Sequence, residues 1–88
     1  MEDSTRIMLF ADADPTFLSR VFGLLAAVNL VPEDCSANLR ADGTMEVNLR
    51  LRCVSEKTSH FLIRKFQQLP QVIEVSRRPT PGEIEQAV

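Results

Sequence analysis

A chain of 88 residues, 44% of them hydrophobic, makes one small domain near the lower limit at which a single core is stable alone, so a partner is expected. A net charge of −2 and a pI near 5.3 give no general attraction to nucleic acid or to an anionic membrane, whose binders characteristically carry a basic patch. No apolar run is long enough to span a bilayer, and the opening MEDSTR lacks the basic-then-apolar order of a signal peptide, so the expected location is cytoplasmic.

The run Arg6 to Ala11, RIMLFA, has apolar residues on both faces, which predicts a central strand. From Phe17 the apolar positions Leu18, Val21, Phe22, Leu24, Leu25 and Val28 recur at helical spacing. Asp14 is suited to cap this helix, and Pro15 to its first position, where an N–H would have no partner in any case. Asn29 tolerates the left-handed conformation that ends helices. Gly23 costs about 1 kcal/mol relative to alanine inside a helix, so it is expected where a neighbouring strand or helix approaches closely.

CSANLR places Cys35, Ala37 and Leu39 on one face, and MEVNLRLRC alternates Met45, Val47, Leu49, Leu51 and Cys53 against Glu46, Asn48, Arg50 and Arg52. A hairpin with one wet face follows. A two-residue Asp-Gly turn would set apolar residues opposite polar ones. A three-residue loop, Ala41-Asp42-Gly43 with Gly43 left-handed, instead pairs Leu39 with Met45 and Cys35 with Leu49. Cys53 then lies roughly 13 Å beyond Cys35's partner, too far for a disulfide, and the two cysteines lack CxxC spacing. Both are expected as reduced thiols in the core. Arg50, Arg52 and Asn48 make a cationic stripe that either binds an acidic partner or is balanced by Glu46.

Ser55 can cap a second helix that buries Leu62, Ile63, Phe66 and Leu69 and turns His60, Arg64, Gln67 and Gln68 to water. Pro70 stops it. QVIEVSRR reads as the last strand, and PTPGEIEQAV as a flexible tail, which divides the chain into a domain over 1–78 and a tail over 79–88. The order predicts an α+β, ferredoxin-like βαββαβ sandwich: a four-stranded antiparallel sheet with two helices on one face. Pro32 suits an edge strand, and that edge, with Glu33, Cys35, Ala37 and Asn38, is expected to pair with a second copy in a homodimer.

The fold supports many functions, so the choice rests on sites. An RNA-recognition module would carry stacking aromatics on its central strands, a soft-metal chaperone a pair of thiolates in the first loop, and a small phosphatase an anion cradle there. The first loop here is DADP, whose aspartates repel phosphate, and the chain has no Tyr or Trp. Asp12 and Asp14 without further ligands make a poor cation site, so no metal is expected. No nucleophile, base and orienter set is legible, so no catalytic residue and no cofactor are expected.

DADPTFLSRVFGLLAAVNL resembles the first loop and helix of ACT domains, most closely those of acetolactate synthase small subunits, which read Glu/Asp-Asn-x-Pro-Gly-x-Leu-x-Arg ahead of a leucine-rich helix. Asp12, Pro15, Leu18, Ser19, Arg20, Val21, Gly23 and Leu24 match. The resemblance implies a non-catalytic regulatory subunit in branched-chain amino-acid biosynthesis, partnered by a catalytic large subunit that carries thiamine diphosphate and flavin. It also implies an effector turn over Asp12, Ala13, Asp14, Pro15, Thr16 and Phe17, with Val31 nearby, where relatives hold an amino acid. Ala13 stands where the family has the Asn that bonds the ligand, and Thr16 where it has Gly. A branched-chain amino acid is therefore expected to bind weakly or not at all, as in the valine-insensitive class. Two other readings remain, a free-standing amino-acid sensor and a structural dimerisation module without a ligand.

Overall fold

The computed structural model describes residues 4–52 and 54–78 and has the element order β1 (Ser4–Asp12), α1 (Phe17–Ala27), β2 (Asp34–Leu39), β3 (Thr44–Arg52), α2 (Glu56–Gln67) and β4 (Val72–Arg78). The strands pair antiparallel in the order β2-β3-β1-β4, so the ferredoxin-like sandwich expected from the pattern is the fold. Ile7, Leu9 and Ala11 of β1 and Val47, Leu49 and Leu51 of β3 alternate into a core closed by Phe17, Val21 and Leu25 of α1 and Leu62 and Phe66 of α2. The two helices lie on one face of the sheet, and the other face is open. Among the described residues no helix is long and apolar enough to cross a membrane.

The hairpin has the parity-derived register, Cys35 opposite Leu49 and Leu39 opposite Met45. Gly43 adopts φ +87°, and Asp42 holds the loop by accepting from the Thr44 N–H at 3.0 Å and the Thr44 hydroxyl at 2.7 Å. At the end of α1 Asn29 is left-handed at φ 60°. The Asn29 N–H reaches the Ala26 carbonyl at 3.0 Å and the Leu30 N–H reaches the Leu25 carbonyl at 2.9 Å, the paired bonds of a Schellman motif. Ser55 caps α2, its hydroxyl oxygen accepting from the Thr58 N–H at 3.1 Å.

Four expectations need correction. The regular turns of α1 begin at Phe17, with Thr16 as the flanking residue and no side-chain cap of its own; the Asp14 carboxylate instead closes a tighter turn just ahead of them. Gly23 faces outward, and a Cβ there would meet nothing within 4 Å, so no neighbour demands its small size. Strand β2 is exposed along both faces, because it projects beyond the cover of the two helices; only β3 shows the clean alternation. Cys35 is accordingly an exposed free thiol and not a core one. Cys53 and the tail over 79–88 lie outside the described residues. Ser59, which the helical stripe did not single out, is buried on α2.

Candidate functional site

The β1–α1 turn is tied down on both sides. The Asp12 N–H donates to the Gln71 carbonyl at 2.9 Å and the Ala13 N–H to the Gly43 carbonyl at 3.0 Å, so the turn is anchored to the start of β4 and to the hairpin loop. Asp14 then uses both carboxylate oxygens. Its Oδ1 accepts from the Thr16 N–H and the Thr16 hydroxyl, each at 2.9 Å, and its Oδ2 accepts from Gln71 Nε2 at 3.0 Å. These bonds, with the Gln71 amide foremost and Thr16 next, hold the carboxyl below its ordinary value; the positive charge of Arg20 adds a little. The Phe17 N–H closes the turn on the Asp14 carbonyl at 2.9 Å.

Beside this turn lies an open, mostly apolar groove of about 280 Å³ lined by Ala13, Asp14, Pro15, Leu18, Leu39 and Met45. Of the effector residues implied by the resemblance, the groove gathers Ala13, Asp14 and Pro15. Asp12 and Thr16 are exposed on the flanking backbone, whereas Phe17 is fully buried in the core beneath. Val31 is 87% exposed and does not line the groove. Leu18, Leu39 and Met45 complete the lining, although the motif itself does not point to them. The register could have found two of them, because Asp12 opposes Thr44 and Leu39 opposes Met45, which brings the end of the hairpin to the turn.

The other candidate feature is the edge of β2. The Arg40 N–H reaches the Thr44 carbonyl at 2.8 Å, so alternation along the strand turns the N–H and C=O groups of Cys35, Ala37 and Leu39 outward, away from β3. Leu39 is 74% exposed beside the turn groove. Partial desolvation against the strand and the neighbouring Asp34 push the exposed Cys35 thiol up, which keeps it protonated and weakly nucleophilic. Glu33, also at this edge, bridges Arg50, at 3.2 Å from Nε, and Arg52. The cationic stripe read from β3 is thus partly neutralised from within. Arg20 and His60 are exposed on their helices. Among the described residues no group of three or more His, Cys, Asp or Glu could hold a metal ion.

The ACT-like domain family matches residues 2–83 of the chain. Among curated proteins, none matches it. The ACT domain from the GTP pyrophosphokinase of Chlorobium tepidum superposes with a TM-score of 0.74 at 15% identity, over 89% of this chain and 100% of that one. A homoserine dehydrogenase from Thiobacillus denitrificans gives 0.74 at 19% identity, over 90% of this chain and 17% of the enzyme. The ligand-free regulatory subunit of aspartate kinase from Thermus thermophilus gives 0.69 at 15% identity, over 88% of this chain and 51% of that one. At such identities these likenesses speak for the fold.

Proposed function

The chain belongs to the ACT-like domain family, and from that premise we propose that it is a non-catalytic accessory subunit of an amino-acid biosynthetic enzyme, nearest in kind to the acetolactate synthase small subunits. ACT domains are regulatory modules, and one structure to which this chain is similar is the regulatory subunit of aspartate kinase. The observation that carries the reading is the placement of the turn groove at the free edge of β2. There Leu39 is shared between the groove and the outward-facing ladder groups of Cys35, Ala37 and Leu39, so whatever pairs along the edge also walls the groove. Two copies paired at this edge present a continuous surface to a catalytic large subunit in the cytoplasm, and the pairing selects its active arrangement.

In this reading the groove is an effector pocket that has lost its grip. Ala13 offers no side-chain amide, and Asp14 already accepts three hydrogen bonds from Thr16 and Gln71, which leaves one lone pair of Oδ2 for an amino group. A free-standing amino-acid sensor is the second reading, favoured by the apolar lining of the groove, which suits a branched aliphatic side chain. Affinity capture of the tagged chain from its native host separates the two. A stoichiometric large synthase subunit in the eluate supports the accessory role, and valine titration of the pure chain without heat agrees with it. A chain that elutes alone and binds valine at micromolar concentration overturns it in favour of the sensor.

A further inference from the structure

Helix α2 turns to solvent a basic face that the described domain does not neutralise. Lys57, Phe61 and Arg64 recur at helical spacing on its outer side, with His60 between them, and all four are exposed. Arginines of the sheet and its loops are engaged: Arg40 with Glu46, Arg50 and Arg52 with Glu33, and Arg77 with Glu56. Lys57 and Arg64 form no ion pair with any described residue. Lys65, beside them, lies 5.5 Å over the Phe61 ring.

The helix itself accounts for part of this face. Arg64 and Lys65 stand in its last turn, where the negative end of the helix dipole favours cations. Lys57 does not fit that account. It stands in the first turn, at the positive end, and the carboxylate beside it in sequence, Glu56, is taken up by Arg77. Phe61, 42% exposed between Lys57 and Arg64, is not explained by the core either. An acidic segment that carries an apolar side chain satisfies both.

The chain contains such a segment. PTPGEIEQAV, residues 79–88, lies outside the described residues and has Glu83 and Glu85 on either side of Ile84, with no cation. Its point of departure is set, because the ion pair of Arg77 with Glu56 holds the end of β4 beside the first turn of α2. We propose that this acidic segment folds back onto α2 of its own copy, with Ile84 on Phe61 and the carboxylates of Glu83 and Glu85 against Lys57 and Arg64, in place of the free tail that its composition suggests. Thr80 and Pro81 suit the N-cap and first position of a helical turn, in which successive side chains point about 100° apart, so Glu83 and Glu85 reach to opposite sides of Ile84. From Arg77 to Ile84 the chain spans about 16 Å even with residues 81–84 coiled in that turn, and Phe61 lies about 8 Å along α2 from Glu56. Exposed ion pairs are individually weak, but a short tether holds the acidic residues at a millimolar effective concentration, and Pro79 and Pro81 leave fewer conformations to lose. The sheet is a poorer seat, since Glu33 already neutralises Arg50 and Arg52. While docked, the segment competes with any acidic partner for α2.

Amide NMR spectra of the full chain test this in the wild type, in Glu83→Lys with Glu85→Lys, in Lys57→Glu with Arg64→Glu, and in all these changes together. All the sites on α2 are exposed, so the dispersion of the spectra should stay that of the folded domain. The wild type is expected to show the heteronuclear NOE of an ordered segment at residues 83–85. The tail reversal should shift the α2 amides around Phe61, and either reversal alone should lose the order at 83–85, which the combination restores. A wild-type segment already as mobile as in the reversals, order that survives Lys57→Glu with Arg64→Glu, or a folded combination that fails to restore it, overturns the proposal. Order that rises with protein concentration assigns the contact to a second copy and overturns it as well. None of these outcomes bears on the accessory role.

Discussion

Asp14 does more at one residue than its place in the sequence announces. Its carboxylate closes the turn through Thr16 and reaches across to Gln71, so a single side chain joins the head of α1 to the start of β4. The bonds favour the ionised form, which lowers its folded pKa below the ordinary 3.8. For a depressed carboxylate the stabilisation is fully present above the unfolded value and is lost as pH falls through the folded one. Asp42, lowered by its bonds to Thr44, acts in the same sense. Asp14→Asn should therefore melt below the wild type at neutral pH, and the gap should narrow as pH falls below 3.8. Paired thermal melts from pH 7 downward check this; a gap that stays constant through the acid range would show that the charge at Asp14 contributes nothing.

Among the elements, α1 and β2 decide what the molecule offers outward. Gly23 lies on the outer side of α1 with open space where a Cβ would go, so Gly23→Ala should stabilise the domain by about 1 kcal/mol from helix propensity, a rise in Tm of roughly 4–8 °C. An unchanged or lower Tm would mean that the outer face of α1 is covered in solution. Ala37→Pro acts on β2: its N–H points away from β3, so proline removes no ladder bond within the copy while blocking any strand added at the edge. The expected outcome is a folded chain of half the assembly mass, and an undiminished mass would exclude pairing at β2. The hairpin was legible because side-chain parity admits one loop length, and the Asn29 and Ser55 caps because few residues suit those positions. Exposure of β2 was not legible, since an alternating pattern records which face is apolar but not how far the helices extend over it. For the same reason the pattern points Cys35 to the core, where the structure exposes it, and a helical glycine at position 23 implies a neighbour that the helix packing does not supply. At the site, the motif located the turn, whereas Leu39 and Met45 enter the groove only through long-range register.

At the scale of the whole molecule, the turn groove and the β2 edge are one surface, because Leu39 and Met45 wall the groove where β2 ends. In the proposed edge-paired dimer, ligand binding and pairing would be thermodynamically linked: a ligand held between two copies would stabilise the pair, and pairing would raise affinity by the same factor. The chain's departures from the family motif predict how to restore that link. Thr16 has φ −85°, an ordinary helical value, so glycine there is not needed for backbone conformation and serves only to clear the approach to the backbone. Thr16→Gly also removes the hydroxyl that donates to Asp14, which frees part of that carboxylate. Ala13→Asn supplies the missing amide on a residue whose backbone is fixed by its bond to Gly43. A hydrogen bond to a charged ligand group contributes about 1.5–3 kcal/mol, or roughly ten-fold to a hundred-fold in affinity. The double variant should therefore bind valine measurably in calorimetry where the parent does not, with each single change gaining less. The gain should also vanish on adding Ala37→Pro, since the groove then loses its second wall. A double variant that stays folded and gains nothing would mean that no amino-acid pocket survives at the turn, and a gain that persists in the triple variant would mean that the pocket belongs to one copy alone.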